Sequence, residues 1–175
     1  MNYSADVLAI RKLDWDFFVT LTHKRAGFRR VKDLDGKFKK EFIGGRWDSP
    51  NKHRQAARFN AWVYAVCRSF KIKPRNFQWV SRLEKGGEGG RDHFHLLVRL
   101  PKRCRKSVSS CVFRLRNMWM SKLGYGGAKV RSINADKGVS GYIAKVVAEY
   151  EEARFSNERY RSVNFSSAAL RAMKH

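Results

Sequence analysis

Residues 77 to 100 read Phe77-Gln78-Trp79-Val80-Ser81-Arg82-Leu83-Glu84, then Lys85-Gly86-Gly87-Glu88-Gly89-Gly90-Arg91-Asp92, then His93-Phe94-His95-Leu96-Leu97-Val98-Arg99-Leu100. The outer parts are rich in β-branched and aromatic residues and the middle is rich in glycine, which predicts two strands joined by a turn. Side chains alternate along a strand, so His93 and His95 share one face while Phe94, Leu96 and Val98 share the other. The apolar set belongs against helices, which leaves both imidazoles on an open face. A symmetric closure of the hairpin puts Glu84 opposite His93 on that same face.

Upstream of the hairpin, Asp16-Phe17-Phe18-Val19-Thr20-Leu21-Thr22 predicts a buried first strand. Residues 27 to 49, with Gly36, Gly44 and Gly45 among short apolar and basic stretches, suit a surface hairpin or long loop. After Ser49-Pro50, the recurrence of Phe59, Trp62, Val63, Val66, Cys67 and Phe70 marks the apolar face of a helix, and Pro74 marks its end. Downstream, Cys111, Val112, Leu115, Met118 and Trp119 define a second helix, stopped by Gly124, Gly126 and Gly127. Ala128 to Ile133 is a short strand, and Val139, Tyr142, Ile143, Val146 and Tyr150 predict a third helix over 137–152. The order strand, helix, strand, strand, helix, strand is that of an α+β, ferredoxin-like or RRM-like antiparallel sheet, with helices on one face and the site on the open one. Residues 1–152 are expected to form this domain, and 153–175 a C-terminal extension or linker.

The chain has 175 residues and 43% hydrophobic content, enough for one domain with a core. Its 38 Lys and Arg stand against 15 Asp and Glu, and the net charge of +23 points to a polyanionic partner, by default nucleic acid. Asp6, Arg11, Lys12 and Asp14 interrupt the apolar residues of the N-terminus, and no run approaches the roughly 18 apolar residues of a membrane span. The expectation is an intracellular protein, in a bacterial cytoplasm or a host nucleus, neither secreted nor membrane-bound. Cys67, Cys104 and Cys111 lack zinc-ligand pair spacing and are read as packing residues of a reducing compartment.

Two imidazole nitrogens and one carboxylate oxygen on a sheet face suit Mn²⁺ or Mg²⁺ with open positions for a phosphate, and would also take Zn²⁺. Glu88, in the turn, is the alternative third ligand, and His23 a lesser one. Tyr142 and Lys145 are helical neighbours three residues apart. A phenol, with an ordinary pKa near 10, becomes a nucleophile only when its proton is taken or offset, which a metal and an ammonium both favour.

Phe18-Val19-Thr20-Leu21-Thr22, His93-Phe94-His95 and Tyr142-Ile143-Ala144-Lys145, in that order over residues 15 to 152, resemble the three motifs of the HUH-type rolling-circle replication initiators. The resemblance implies a metal held by Glu84, His93 and His95, attack on DNA by Tyr142, and assistance from Lys145. It also implies a 5′-phosphotyrosyl product on single-stranded DNA at a replication origin, in some systems a hairpin. Thr20 and Thr22 would shape the site or touch the DNA, with Arg82, Arg91 and Arg99, close to the site, as phosphate contacts. The sequence holds no Gly-x-x-x-x-Gly-Lys-Ser/Thr, so unwinding is expected from a helicase in trans or in a domain outside these residues.

Two rivals share features of this pattern. A one-tyrosine single-strand transposase typically has glutamine four residues after its tyrosine, where this chain has Val146. A non-catalytic RRM-like binder would stack bases on Trp79, Phe28 or Trp47 and hold phosphates by its basic surface.

Overall fold

The computed structural model describes residues 13–23, 28–33, 35–42, 52–84, 92–105, 107–133 and 163–173. The predicted hairpin forms as β4 (Gln78–Glu84) and β5 (His93–Arg99), paired antiparallel in the register that sets Glu84 against His93. β1 (Phe17–His23) lies on the other side of β5, with Thr20 opposite His95 and Thr22 opposite His93. β6 (Gly126–Ser132) completes the far edge along β1. The order β6-β1-β5-β4 is α+β, antiparallel throughout and compatible with a ferredoxin-like sheet. The surface hairpin predicted between residues 27 and 49 appears as β2 (Phe28–Lys32) and β3 (Phe38–Phe42), a separate two-stranded ribbon. Its turn is closed by Asp33 Oδ1, which accepts from the Lys37 amide at 2.8 Å, and by Gly36 at φ 75.

α1 (Lys52–Phe70) and α2 (Val108–Asn117) cover one face of the sheet. Every residue of the predicted apolar stripe of α1 is buried, against Val19, Leu21, Phe94, Leu96 and Val98. Burying each such side chain stabilises by about 1.5–3 kcal/mol. The two largest, Trp62 and Trp119, are fully buried, and each indole N–H finds a carbonyl: Leu115 O at 3.1 Å and Thr22 O at 3.0 Å. Those hydrogen bonds remove the cost of burying a polar atom in an apolar core. α2 starts where the Ser107 hydroxyl accepts from the Ser110 amide and ends in a widened π turn, Met118–Lys122. Gly124 at φ 63 then reverses the chain into β6. Cys67 and Cys111 are buried in this core, and burial pushes the Cys67 thiol up to about 11 and raises that of Cys111, which favours the protonated thiol at both.

The second face is less open than its sequence predicts. Val80 and Leu97 point to it and are fully buried, and Phe18 and Arg82 are nearly so. Of the extension expected after residue 152, β7 (Val163–Phe165) pairs with β4 as a fifth strand, and α3 (Ser167–Met173) packs beside β4. The Ser166 hydroxyl accepts from the amides of Trp79 and Ala169, tying this segment to the sheet edge. The predicted third helix over 137–152 lies outside the described residues. Among the described residues, no helix is long and apolar enough to cross a membrane.

Candidate metal centre

Strand pairing writes two rows across the second face: Lys129, Thr20, His95 and Arg82, and beside it Gly127, Thr22, His93 and Glu84. Within them, Glu84 Oε2 stands 2.9 Å from His95 Nε2 and 3.6 Å from His93 Nε2. One ligand atom from each residue lies within 4.8 Å of the others. All three side chains are half-buried, shielded enough to be held and exposed enough to be reached.

The short contact between Glu84 and His95, 2.9 Å from Oε2 to Nε2, is an ion pair only when the imidazole is protonated. A buried carboxylate oxygen facing two imidazole nitrogens is costly unless a proton or a metal cation sits between them. An ion about 2.1 Å from each atom would see these separations at about 90° and about 120°, angles that octahedral or tetrahedral coordination accepts. The group therefore fits a metal ion. Its donor set of two nitrogens and one oxygen suits a first-row divalent ion.

The imidazoles are fixed from behind. His95 Nδ1 is 3.2 Å from Thr20 Oγ1, and in the tautomer with the proton on Nδ1 the hydroxyl accepts while Nε2 keeps its lone pair for the ion. The His95 ring stacks on Phe18 at 5.3 Å and 21°, and the His93 ring meets it edge-on at 4.6 Å and 89°. Phe18 and Thr20 thus set the plane of one ligand, a role that β1 alternation carries without revealing it in composition.

Cations share the face with the three ligands. Arg82 is buried opposite His95. Lys129 and Arg131 are exposed on the edge strand β6, and both point to the ligand face. Neither β6 residue is evident as a site residue from sequence, because only pairing with β1 brings them there. Arg99 shares the face but lies at the opposite end of β5.

The structure removes His23 from the ligand set. It ends β1 with the parity of Phe17, Val19 and Leu21, and is buried on the helix-covered face between Phe94 and Trp119. Burial, reinforced by the Arg58 guanidinium and opposed by Asp92, lowers its imidazole to about 4. Trp79 lies on the helix-covered side and is partly buried, packed edge-on against Phe59 at 4.9 Å. Thr22 stands opposite His93. Tyr142, Lys145, Glu88, Arg91 and Trp47, and the side chain of Phe28, lie outside the described residues. Comparison of the chain with protein-family models, curated proteins and solved structures found no match.

Proposed function

We propose that this protein is a divalent-metal-dependent endonuclease of the HUH replication-initiator kind, which nicks single-stranded DNA at an origin and joins itself to the 5′ end through Tyr142. The observation that carries the reading is the convergence of Glu84, His93 and His95 on a cation-lined face of a strongly basic domain. A bound divalent ion, Mn²⁺ or Mg²⁺, supplies a Lewis acid for a phosphate oxygen and offsets charge that builds in the transition state. Two imidazoles in the donor set favour Mn²⁺ over Mg²⁺.

The chain's own residues do the rest. Lys129 and Arg131 hold the DNA backbone by charge, positioning one phosphate at the end of the β4–β5 hairpin, and the buried Arg82 adds positive charge from beneath without touching the strand. The Tyr142 phenol gives up its proton, and its oxygen bonds to that phosphorus. The bond to the 3′-oxygen of the preceding nucleotide breaks, and this oxygen takes up a proton. Lys145, three residues further along the sequence, favours the phenolate and orients the phosphate. The phosphotyrosyl ester keeps the energy of the broken phosphodiester, so a later 3′-OH can reverse the step and rejoin or circularise the strand without ATP.

The test is a denaturing gel with a randomised single-stranded DNA pool in Mn²⁺, comparing wild type, Tyr142→Phe and wild type in EDTA. A denaturant-resistant adduct formed by wild type with metal, and by neither control, is the expected result. Tight, salt-sensitive binding that survives chelation and gives no adduct would replace this reading with a non-catalytic binder.

A further inference from the structure

A second concentration of charge lies at the other end of the same hairpin. There a cavity of about 690 Å³ is lined by Arg75, Arg99, Lys102, Arg103, Arg105 and Arg171. The six come from the turn before β4, the end of β5, the segment after it, and α3. Gln78 and Arg99, which also line it, pair across the ladder with the parity of Glu84, His93 and His95, so the cavity belongs to the ligand-bearing face. Along the extended strand β5, Arg99 is about 13 Å from His95 and about 20 Å from His93.

These cations are held in place. Arg103 donates to the Lys71 carbonyl at 3.4 Å, Arg105 to the Leu100 carbonyl at 2.7 Å, and Arg171 to the Arg75 carbonyl at 2.6 Å. A guanidinium anchored by one N–H keeps others for a ligand and loses little freedom on binding it. Among the described residues, Asp16 is the carboxylate paired into the cluster, 2.9 Å from Arg105. The remaining like charges repel one another, a cost that a multiply charged anion would offset.

We propose that this cavity binds the phosphate backbone of a nucleic-acid strand, at a second point on the face whose other end carries Glu84, His93 and His95. A strand fits better than a free nucleotide, because the cations are spread over several chain segments at one end of the sheet. The two sites are roughly four to six phosphates apart at duplex spacing, fewer in an extended single strand. The inference rests on the nucleic-acid part of the function proposed above and not on nicking.

The test measures binding of a fluorescent single-stranded oligonucleotide in EDTA as a function of salt, for wild type and for R99Q/R103Q/R171Q. The variant should bind roughly 10-fold more weakly, and its plot of log affinity against log salt should be shallower by about 2, the counterion release of three phosphate contacts on a single strand. Unchanged affinity and slope in a variant that melts like wild type would overturn the proposal. An arm without mutations uses phenylglyoxal, which modifies exposed arginines, read by mass spectrometry on wild type. The oligonucleotide should slow modification of Arg99, Arg103 and Arg171, and equal rates with and without it would overturn the proposal even if the variant failed to fold. A shallower slope without any covalent adduct would support the cavity while removing the nicking reading. An adduct with an unchanged slope would remove the cavity alone.

Discussion

Each face of the sheet holds a histidine against its strands, and the two environments are opposite. His23 sits among Phe94, Trp119 and the Arg58 guanidinium, where its Nε2 has no hydrogen-bond partner among the described residues and its ring stays neutral. His95 sits against Phe18 and Thr20 with its Nε2 turned to a carboxylate oxygen and a second imidazole nearby. Burial is therefore no guide to role. On the helix-covered face the indoles of Trp62 and Trp119 are tied to carbonyls and His23 is held uncharged, whereas on the other the polar atoms of Glu84, His93 and His95 face one another around a point where an ion fits.

The sharpest break in this contrast is on the covered face. Trp62→Ala should cost about 3–5 kcal/mol of stability in denaturant unfolding, from the cavity and from the stranded Leu115 carbonyl. A loss under about 1 kcal/mol would mean that α1 is not the keystone of the core.

The His23 environment makes stability depend on pH. Its folded-state imidazole lies near 4 against an ordinary 6.5, so between those values the unfolded chain binds a proton that the folded one refuses. The contribution is present in full above about pH 6.5 and lost as pH falls toward 4, by about 3 kcal/mol at most. Arg58 and Asp92 are the charged groups facing the ring, and Asp92 is itself held by Gln55 at 2.6 Å. His23→Phe should flatten the pH dependence of urea midpoints across this window, and an unaltered profile would assign the dependence to other groups.

The hairpin register and the ligand face were legible because β alternation is a strict two-residue rule. Once His93, His95 and the apolar Phe94, Leu96 and Val98 are written down, the face and the Glu84 partner follow. The same rule, carried one residue past Thr22, would have placed His23 with Leu21 in the core; ending the strand early hid this. β7 and α3 were not legible, since three strand residues after a polar stretch carry no periodicity, and only pairing with β4 defines them. The basic cavity draws on positions as distant as Arg75 and Arg171, brought together by tertiary packing that no local pattern encodes.

At the metal centre, Glu84→Gln should weaken Mn²⁺ binding by on the order of 100-fold in calorimetry, since it removes the charged ligand. It should leave metal-free stability nearly unchanged above the histidine pKa range, because the contacts of Oε2 with the two imidazoles are ion pairs only when a ring is protonated. A drop in metal-free stability would show Glu84 to be a structural partner of the histidines instead.

The smallest expected effect tests how His95 is aimed. Thr20→Val keeps the shape of the side chain and deletes the hydroxyl 3.2 Å from Nδ1. The ring then lacks the group that favours the tautomer leaving Nε2 unprotonated, and Mn²⁺ affinity should fall by roughly 10-fold with little change in stability. Because Phe18 still stacks on the ring, its plane should persist, and the loss should come from the proton's position. Nitrogen-15 shifts of the imidazole in the metal-free protein separate the two: a move toward the Nε2-protonated tautomer supports this account. Weaker binding with unchanged shifts would locate the effect in ring position.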